Sequence, residues 1–476
     1  MRRVRIAWVS AYALMSLGLI AACDRPPSAP SLFVLISVDT LRADFLGAYG
    51  SVRGLTPRMD QLARESLVFT SAYSATSFTL PSLSALLTGR YPEELGIWNN
   101  ESAVPESVPT LATELRASGW RTGAVVSNFI LRSSSGIDTG FDVYDDRFPQ
   151  REAVRNWPER TATDTTDAFF RILDDCRVGP SRCFVWVHYQ DPHGPYTPPP
   201  GTRESHIEAE RRAPDGRRQL PVQAKGDIGL GGIPRYQYLE GNREVAFYRA
   251  GYDAEVNYVD TEVGRLLDGL RERRLADEAL VVFTADHGEA LGEHDYWFAH
   301  GEHLTDPLVR IPLMMRGPGI RPGRRDDIVA PVDLFPTVLA WLDPQSKRAS
   351  GRGRNLLEPD ASASDSVVYL ATLGAGPVRR FAIVEGDFKF IASLNDGAWD
   401  GQLFRRGSES TNLVGLTDGV AASFRQRLAE FRAGLAVRPE IRQKFSPEEL
   451  EQLRALGYVD VPRGDEVDAG SDSPGD

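Results

Sequence analysis

The chain has 476 residues, of which 25% are charged, and its formal net charge is -12. A chain of this length can bury one large hydrophobic core and a smaller one. The acidic charge disfavours nucleic acid as a partner, and composition leaves the oligomeric state open.

The amino terminus has the pattern of an export signal. Three arginines precede an apolar run that ends in two alanines and Cys23. This order predicts a signal peptide at 1–22, and 23–31 reads as a short tether. The Ile-Ala-Ala-Cys ending resembles a bacterial lipobox, which implies that a lipid on Cys23 anchors the exported protein to a membrane of the bacterial cell envelope. An ordinary secreted protein with an incidental cysteine is the alternative.

Predicted strands alternate with predicted helices over residues 32–345. The apolar run Leu32–Val38 lacks alternation, which is typical of a buried central strand, and it ends at Asp39. The whole pattern indicates a layered α/β domain with a largely parallel sheet. The later predicted strands are 123–126, 184–187 and 281–283, and the predicted helices are 56–67, 109–118, 163–173 and 248–274.

A short helix is predicted after residue 78. Pro81 suits the first turn of a helix and Gly89 suits its end, so Thr79 lies at or just before the amino terminus. Backbone amides and the helix dipole favour negative charge there. Thr79 is therefore either a capping residue or a nucleophile that a divalent cation activates, and this segment alone favours capping.

The histidines are concentrated near strand ends. Six of the seven lie in two short windows, 188–193 and 287–303. Asp286 and His287 directly follow the last predicted strand, and Asp39 and His193 also follow strand ends. Ligand sites of open α/β sheets lie outside the carboxyl ends of strands, so these side chains are expected to meet in one cleft. Adjacent aspartate and histidine suit a divalent metal ion.

Residues 346–435 predict a smaller α+β subdomain. Alternation within 381–391 indicates an antiparallel sheet with one solvent-exposed face, and a helix is predicted at 421–432. Residues 436–476 predict a helical ending and a tail of disordered composition.

Two local features remain open. The loop 195–238 is too long for a simple connector and is predicted to be a lid that selects substrate. Cys176 and Cys183 either form a disulfide, which an exported protein permits, or remain free thiols.

Five motifs occur in the order of a known family: SVDTLRADFLGAYG, TLPSLSALLTGRYP, HYQDPHGPY, TADHGEALGEH and HGEHLTDPLVRIPL. They resemble the sulfatase-like branch of the alkaline phosphatase superfamily. The later GDFKFIA and SPEELEQLRALGY resemble that family's carboxyl-terminal subdomain and ending. The resemblance spans nearly all of 32–459. It implies a three-layer α/β sandwich with a small C-terminal α+β subdomain.

The resemblance also implies the roles of individual residues. The implied metal ligands are Asp39, Asp286, His287 and Thr79, and Thr79 also stands at the position of the nucleophile. The implied substrate contacts are His193, His300 and Asn100. His193 and His300 are also expected to take part in catalysis, and His300 stands where relatives have Lys or His before glycine. His188 is interpreted as a strand residue of the core, whereas His294 and His303 are either metal ligands, donors to the ligands or surface groups.

Three positions depart from the family pattern. Family sulfatases begin their signature with a Cys or Ser that is oxidised to formylglycine, but here Thr79 stands there and cannot become an aldehyde. Leu83 stands where the family has the arginine that closes the signature, and Thr40 stands where it has the second of two paired aspartates. No formylglycine is therefore expected, and the set is closer to the phosphodiesterase, phosphonate hydrolase and phosphoglycerol transferase members.

The sequence thus predicts a metal-dependent hydrolase or transferase that uses Thr79 on an anionic phosphate ester, such as a diester or a phosphonate-like substrate. One divalent metal ion is expected, and Mn, Zn, Ca and Mg all tolerate such a ligand set to different degrees. A sulfatase that works without formylglycine is one alternative. A non-catalytic, lipid-anchored binding protein is another.

Overall fold

The structure is a computed structural model that describes residues 31–151, 158–178, 181–223, 229–342, 351–358, 366–373, 378–395, 398–447 and 449. The predicted signal peptide, Cys23 and most of the tether lie outside the described residues, and so does the end of the chain beyond 449. Within the described ranges, none of the helices combines the length and the apolar character needed to span a bilayer.

A sheet of eight strands forms the centre of the larger domain. Its strands are β1 (Leu32–Val38), β2 (Leu67–Tyr73), β3 (Arg121–Val126), β4 (Val143–Asp145), β5 (Cys183–Tyr189), β6 (Ala279–Ala285), β7 (Arg310–Arg316) and β8 (Gly323–Val329). They lie side by side in the order β8-β2-β7-β6-β1-β5-β3-β4. β7 is antiparallel to both of its neighbours, whereas the other neighbouring pairs are parallel. The predicted, largely parallel sheet is confirmed.

Helices flank this sheet. They are α1 (Pro57–Arg64), α2 (Thr79–Thr88), α3 (Pro92–Leu95), α4 (Leu111–Ala117), α5 (Ala162–Cys176), α6 (Glu204–Glu210), α7 (Val245–Glu272), α8 (Asp306–Val309), α9 (Leu334–Leu342) and α10 (Asp418–Ala433). The long α7 packs against α1, α5 and α6, and α5 also packs on β3 and β5. α2 packs with α4 and α9. The expected sandwich of helices around a sheet is therefore present.

The strands that lead to the site are longer than predicted. β5 and β6 extend by one to two residues at each end beyond 184–187 and 281–283. The polar residues His188 and Thr284 interrupted the apolar pattern there. Both side chains are fully buried. A buried polar side chain is tolerated inside a strand when it finds a hydrogen-bond partner. Thr284 Oγ1, for example, donates to Pro312 O at 2.9 Å.

The C-terminal subdomain is an antiparallel sheet that is covered on both faces. Its strands are β9 (Val367–Leu373), β10 (Arg379–Glu385), β11 (Phe388–Asn395) and β12 (Ala398–Arg405). Ala382 and Val384 pack against residues of the larger domain, whereas Phe381 and Ile383 pack against Phe424 of α10. The antiparallel sheet and its helix were predicted, but the prediction of a solvent-exposed face was wrong.

Two further predictions concern local structure. Cys176 at the end of α5 and Cys183 at the start of β5 form a disulfide, which decides between the two alternatives left open. The loop 195–238 contains α6, which packs on α7. Its role as a lid stays a prediction.

Candidate metal and active site

Two neighbouring parallel strands place the acidic residues of the site. β1 pairs with β6 so that Val38 lies opposite Ala285. Asp39 and Asp286 are the next residues, so their carboxyl groups lie side by side at the carboxyl edge of the sheet. One ligand atom each of Asp39, Asp286 and His287 lies within 4.8 Å of the others. The structure therefore brings together the three strand-end residues that the sequence singled out.

The donor set fits a divalent metal ion. Asp39 Oδ1 and Asp286 Oδ2 are buried and lack hydrogen-bond partners among the described residues. Asp286 Oδ1, in contrast, accepts from Thr40 N at 3.1 Å and from His287 N at 2.7 Å. Burial and the neighbouring Asp39 carboxylate raise the pKa of Asp286 to about 6. Two buried carboxylates without a counter-charge are costly, and a cation at the two unpaired oxygens offsets that cost.

His287 offers a ring nitrogen to the same point. Its Nδ1 lies 2.9 Å from Gly288 O, which can only accept, so Nδ1 has a proton and Nε2 is left for a proton or a metal ion. Nε2 lies 3.4 Å from Asp286 Oδ2. Burial lowers the pKa of His287, but the carboxylates of Asp286 and Asp39 outweigh burial and raise it. The centre of the group thus favours positive charge.

Thr79 is the first residue of α2, and its side chain is fully buried. The helix ends at Gly89, whose φ of 64° suits glycine, so both predicted ends are confirmed. Thr79 Oγ1 lies 3.3 Å from His287 Nε2. Ser82, one turn later, donates to Asp286 O at 2.6 Å and fixes the helix against the end of β6. The helix therefore holds the Thr79 hydroxyl at the metal site.

His193 and His300 extend the site beyond His287. The ring of His300 lies with its centroid 4.6 Å from that of His287 and 5.0 Å from that of His193. Burial lowers the pKa of His193 to about 3 and lowers that of His300 well below the usual value. His193 Nδ1 lies 2.7 Å from Gly194 O, which can only accept, so the neutral ring has its proton on Nδ1 and Nε2 donates to an anionic oxygen only when the ring is doubly protonated.

Sequence reasoning assigned no role to Glu289. It is fully buried, its Oε1 lies 3.0 Å from His300 Nδ1, and its Oε2 accepts from Tyr196 OH at 3.1 Å. Burial raises the pKa of Glu289 to about 8. Glu289 therefore fixes the orientation of His300. The available signal was an acidic residue two positions after His287, directly before the apolar pair Ala290–Leu291.

Asn100 lies at the same helix end as Thr79. Its Oδ1 accepts from Leu80 N at 3.0 Å, and its buried Nδ2 has no hydrogen-bond partner in the described part of the chain. The carbonyl oxygen of Asn100 accepts from Gln443 Nε2 at 3.2 Å. The structure thus places Asn100 beside the nucleophile candidate, and the side-chain NH₂ group of Asn100 has no acceptor among the described residues.

His188 is a buried residue of β5, as interpreted, but it also touches the site. Its Nε2 lies 3.4 Å from Asp39 Oδ2, and Asn128 Nδ2 donates to the same oxygen at 2.5 Å. Sequence reasoning missed both contacts. His294 and His303, in contrast, do not belong to the metal group among the described residues.

The departures at Thr40 and Leu83 have different structural outcomes. Thr40 has a φ of 53°, an uncommon conformation for a β-branched residue, and its buried Oγ1 has no partner among the described residues. Leu83 is fully buried in the main hydrophobic core. No positive charge replaces the arginine at that position.

Comparisons with known proteins agree with this architecture. The family model described as Sulfatase matches residues 31–344. The chain is 28% identical to human iduronate 2-sulfatase over 381 residues, which covers 64% of this chain and 68% of that protein. A protein solved in complex with its substrate D-glucosamine-2-N,6-O-disulfate aligns with a TM-score of 0.69 at 20% identity, over 85% of this chain and 98% of the other. The phosphonate monoester hydrolase from Silicibacter pomeroyi aligns with a TM-score of 0.64 at 21% identity, over 85% and 96%.

Proposed function

Because this chain belongs to the sulfatase family, an ester hydrolase family of the alkaline phosphatase superfamily, we propose that it hydrolyses or transfers a phosphate ester with Thr79 as nucleophile. The preferred substrate class is a phosphate diester or a phosphonate-like ester. The observation on which this depends is the Thr79 hydroxyl, 3.3 Å from His287 Nε2 at the amino end of α2. Backbone amides there favour the negative charge that develops on the attacked group.

The chemistry of threonine favours phosphoryl over sulfuryl transfer. A formylglycine hydrate expels sulfate by collapsing to its aldehyde, whereas a sulfated threonine has no such route. A phosphorylated threonine is released by in-line attack of water or an acceptor alcohol on phosphorus. The similarity to phosphonate monoester hydrolases is consistent with this choice, although it concerns the fold.

The charge of the site favours a singly charged substrate group. Burial lowers the pKa of His193 and of His300, which disfavours positive charge on both rings, and Leu83 supplies no cation. A dianionic group would therefore meet less positive charge than in family members that have an arginine and a lysine at these positions. A diester or a phosphonate monoester matches this lower charge better.

The proposed reaction has two steps. Thr79 Oγ loses its proton and attacks phosphorus, the bond from phosphorus to the leaving oxygen breaks, and the leaving oxygen takes up a proton. Water or an acceptor alcohol then attacks phosphorus, the bond from Thr79 Oγ to phosphorus breaks, and the hydroxyl is restored. A divalent ion held by Asp39, Asp286, His287 and Thr79 would supply the positive charge that lowers the pKa of the hydroxyl.

His193 and His300 act on the substrate in this scheme. They bind the non-bridging oxygens through Nε2 and stabilise them as charge develops in the transition state. His193, whose Nδ1 proton is directed at Gly194 O, donates there as a doubly protonated ring. Glu289 holds His300 Nδ1, which leaves His300 Nε2 available to a substrate oxygen. Asn100 Nδ2 is a further donor beside Thr79.

Replacing the nucleophile tests the proposal directly. Thr79→Ala is expected to abolish turnover of a bis-aryl phosphate diester while the fold stays intact, with the metal ion supplied in excess because the variant also lacks one proposed ligand. Thr88→Ala is the matched control, because Thr88 lies in the same helix and donates only to Ser84 O, at 2.7 Å. Turnover that survives in Thr79→Ala would show that Thr79 is not the nucleophile.

Sulfate ester hydrolysis is the second candidate, because the matching family model and iduronate 2-sulfatase are named for it. A panel of aryl sulfates, aryl phosphates, diesters and phosphonates, each with Mn, Zn, Ca and Mg, separates the two. We expect the diester or phosphonate to react fastest. A faster aryl sulfate would reverse the assignment, and a protein that purifies without metal and turns over none of them would be a binding protein.

We further propose that a lipid on Cys23 anchors the enzyme in the bacterial cell envelope. The support is the sequence pattern at the amino terminus. In membrane fractionation, Cys23→Ala is expected to move the protein from the membrane pellet to the supernatant. An unchanged distribution would exclude the anchor.

A further inference from the structure

Asp39 has one oxygen held by the protein and one left unpaired. Asn128 Nδ2 donates to Asp39 Oδ2 at 2.5 Å, and His188 Nε2 lies 3.4 Å from the same atom. Asn128 Oδ1 accepts from Ile130 N at 2.9 Å, which fixes the amide so that its nitrogen faces Asp39. Asp39 Oδ1 lacks a partner among the described residues.

A hydrogen-bond relay fixes the ring of His188. Ser37 lies opposite His188 in the pairing of β1 with β5. Trp186 Nε1, which can only donate, donates to Ser37 Oγ at 2.9 Å, and Ser37 Oγ lies 2.9 Å from His188 Nδ1. With the hydroxyl proton directed at Nδ1, the ring proton lies on Nε2 and points at Asp39 Oδ2. The alternative tautomer would set two acceptors against each other.

Asp286 shows the same division between its two oxygens. Its Oδ1 accepts from two backbone amides, those of Thr40 and His287, whereas Oδ2 has no hydrogen-bond partner in the described ranges. Each carboxylate therefore has one oxygen engaged by the protein and one available to a metal ion.

We propose that His188 and Asn128 are positioning residues that restrict Asp39 to a single metal-binding oxygen, and that the site consequently selects Mn²⁺ or Zn²⁺ over Ca²⁺. Two one-oxygen carboxylates, an imidazole and a hydroxyl make a small donor set that includes nitrogen. Ca²⁺ takes six to eight oxygen ligands and commonly uses carboxylates through both oxygens. Imidazole suits Zn²⁺, and carboxylate together with hydroxyl oxygen suits Mn²⁺. The inference uses the metal site of the proposed function, but neither the substrate nor the nucleophile assignment.

Metal affinity measured without substrate tests this. The metal-free mature protein is titrated with Mn²⁺, Zn²⁺ and Ca²⁺ by calorimetry. The wild type is expected to bind Mn²⁺ or Zn²⁺ at least tenfold more tightly than Ca²⁺. His188→Ala is expected to weaken Mn²⁺ binding by about 10- to 100-fold, the usual effect of removing a residue that orients a metal ligand. His188→Gln, whose amide can still donate to Asp39, should recover part of that loss.

Two further variants make the result decisive. His303→Ala is the matched control, because His303 packs on Tyr296 outside the metal group and its loss should leave the affinity unchanged. Ser37→Ala keeps the His188 ring but removes the contact that sets its tautomer, so it should weaken binding by a smaller factor. It replaces His188→Ala as the test if that variant does not fold.

Equal Ca²⁺ and Mn²⁺ affinity in the wild type would overturn the inference. So would wild-type Mn²⁺ affinity in a folded His188→Ala, or in Ser37→Ala if His188→Ala does not fold. Failure of the phosphate ester assay would leave these affinities untouched, so the two proposals fail separately.

Discussion

In the proposed reaction, side chains of the site act in pairs, in which one residue contacts the substrate and another fixes its direction. His300 is the clearest case, because Glu289 contacts its Nδ1 at 3.0 Å and is itself held by Tyr196 OH. A histidine without this partner could rotate away from the substrate oxygens. A loss of orientation of this kind affects the transition state more than substrate binding.

Glu289→Ala is therefore expected to lower kcat by about 100-fold, the lower range for a positioned acid–base group, while KM and metal content change little. Steady-state kinetics on the diester measures this. Glu293→Ala is the matched control, because Glu293 lies in the same loop but pairs with Arg42 at 2.7 Å. Equal kcat values for the two variants would contradict the role given to Glu289.

At the scale of the elements, one arginine links the ends of three of them. Arg160 precedes α5, donates to Val126 O at the end of β3 at 3.1 Å, and pairs with Asp145 of β4 at 2.5 Å. Arg160 and Asp145 are both buried. Removing one partner of a buried pair leaves the other charge uncompensated, which is strongly destabilising.

Asp145→Asn is accordingly expected to lower the free energy of unfolding by about 3 kcal/mol at pH 7. Burial raises the pKa of Asp145, but the hydrogen bonds and charges of Arg147 and Arg160 outweigh burial and hold it well below its usual value. A depressed pKa stabilises the fold above the unfolded-state value of about 3.9, and that stabilisation is lost as pH falls further. The difference between variant and wild type should thus be constant above about pH 5 and shrink below about pH 4.

Chemical denaturation at several pH values checks this expectation. Asp146→Asn is the control, because Asp146 is only partly buried and accepts from Ser133 N at the surface. A stability difference for Asp145→Asn that is as large at pH 2 as at pH 7 would contradict the assignment.

At the scale of the whole molecule, the two domains share a buried ionic contact. Lys389 of β11 is fully buried and donates to Asp306 of the larger domain and to Glu409, at 2.7 Å each. Burial lowers the pKa of Lys389, but the two carboxylates outweigh burial and raise it, so the lysine stays charged. The covered inner face of the subdomain sheet adds apolar contacts to the same interface.

Lys389→Met should lower the free energy of unfolding by about 3 to 5 kcal/mol, because it leaves two carboxylates facing each other. Urea denaturation measures the loss. Adding Asp306→Asn and Glu409→Gln to the same chain removes the uncompensated charges and should restore most of the stability. If Lys389→Met alone is as stable as the wild type, the ionic contact does not contribute to the free energy of unfolding.

The sequence was sufficient for the parts of this structure that follow from local pattern and chain order. Apolar runs located β1 and β6, and their parallel pairing brought Asp39 to Asp286. The sequence was insufficient where contacts between residues far apart in the chain determine the structure. His188 reaches Asp39 across 149 positions, and no local pattern indicates such a contact. The second buried face of β10 had a signal, the unbroken apolar run Phe381 to Val384, which alternation alone does not explain.

The segment around Gln443 has a practical consequence for anyone who produces this protein. Gln443 bonds to the carbonyl oxygens of Asn100 and Ser102, and its backbone N donates to Glu101 O at 2.8 Å. The segment that contains Gln443 therefore supports the loop beside Thr79. Trimming by exoproteases, or a carboxyl-terminal affinity tag that displaces this segment, should impair turnover as an active-site lesion would, even though every reacting group is still encoded.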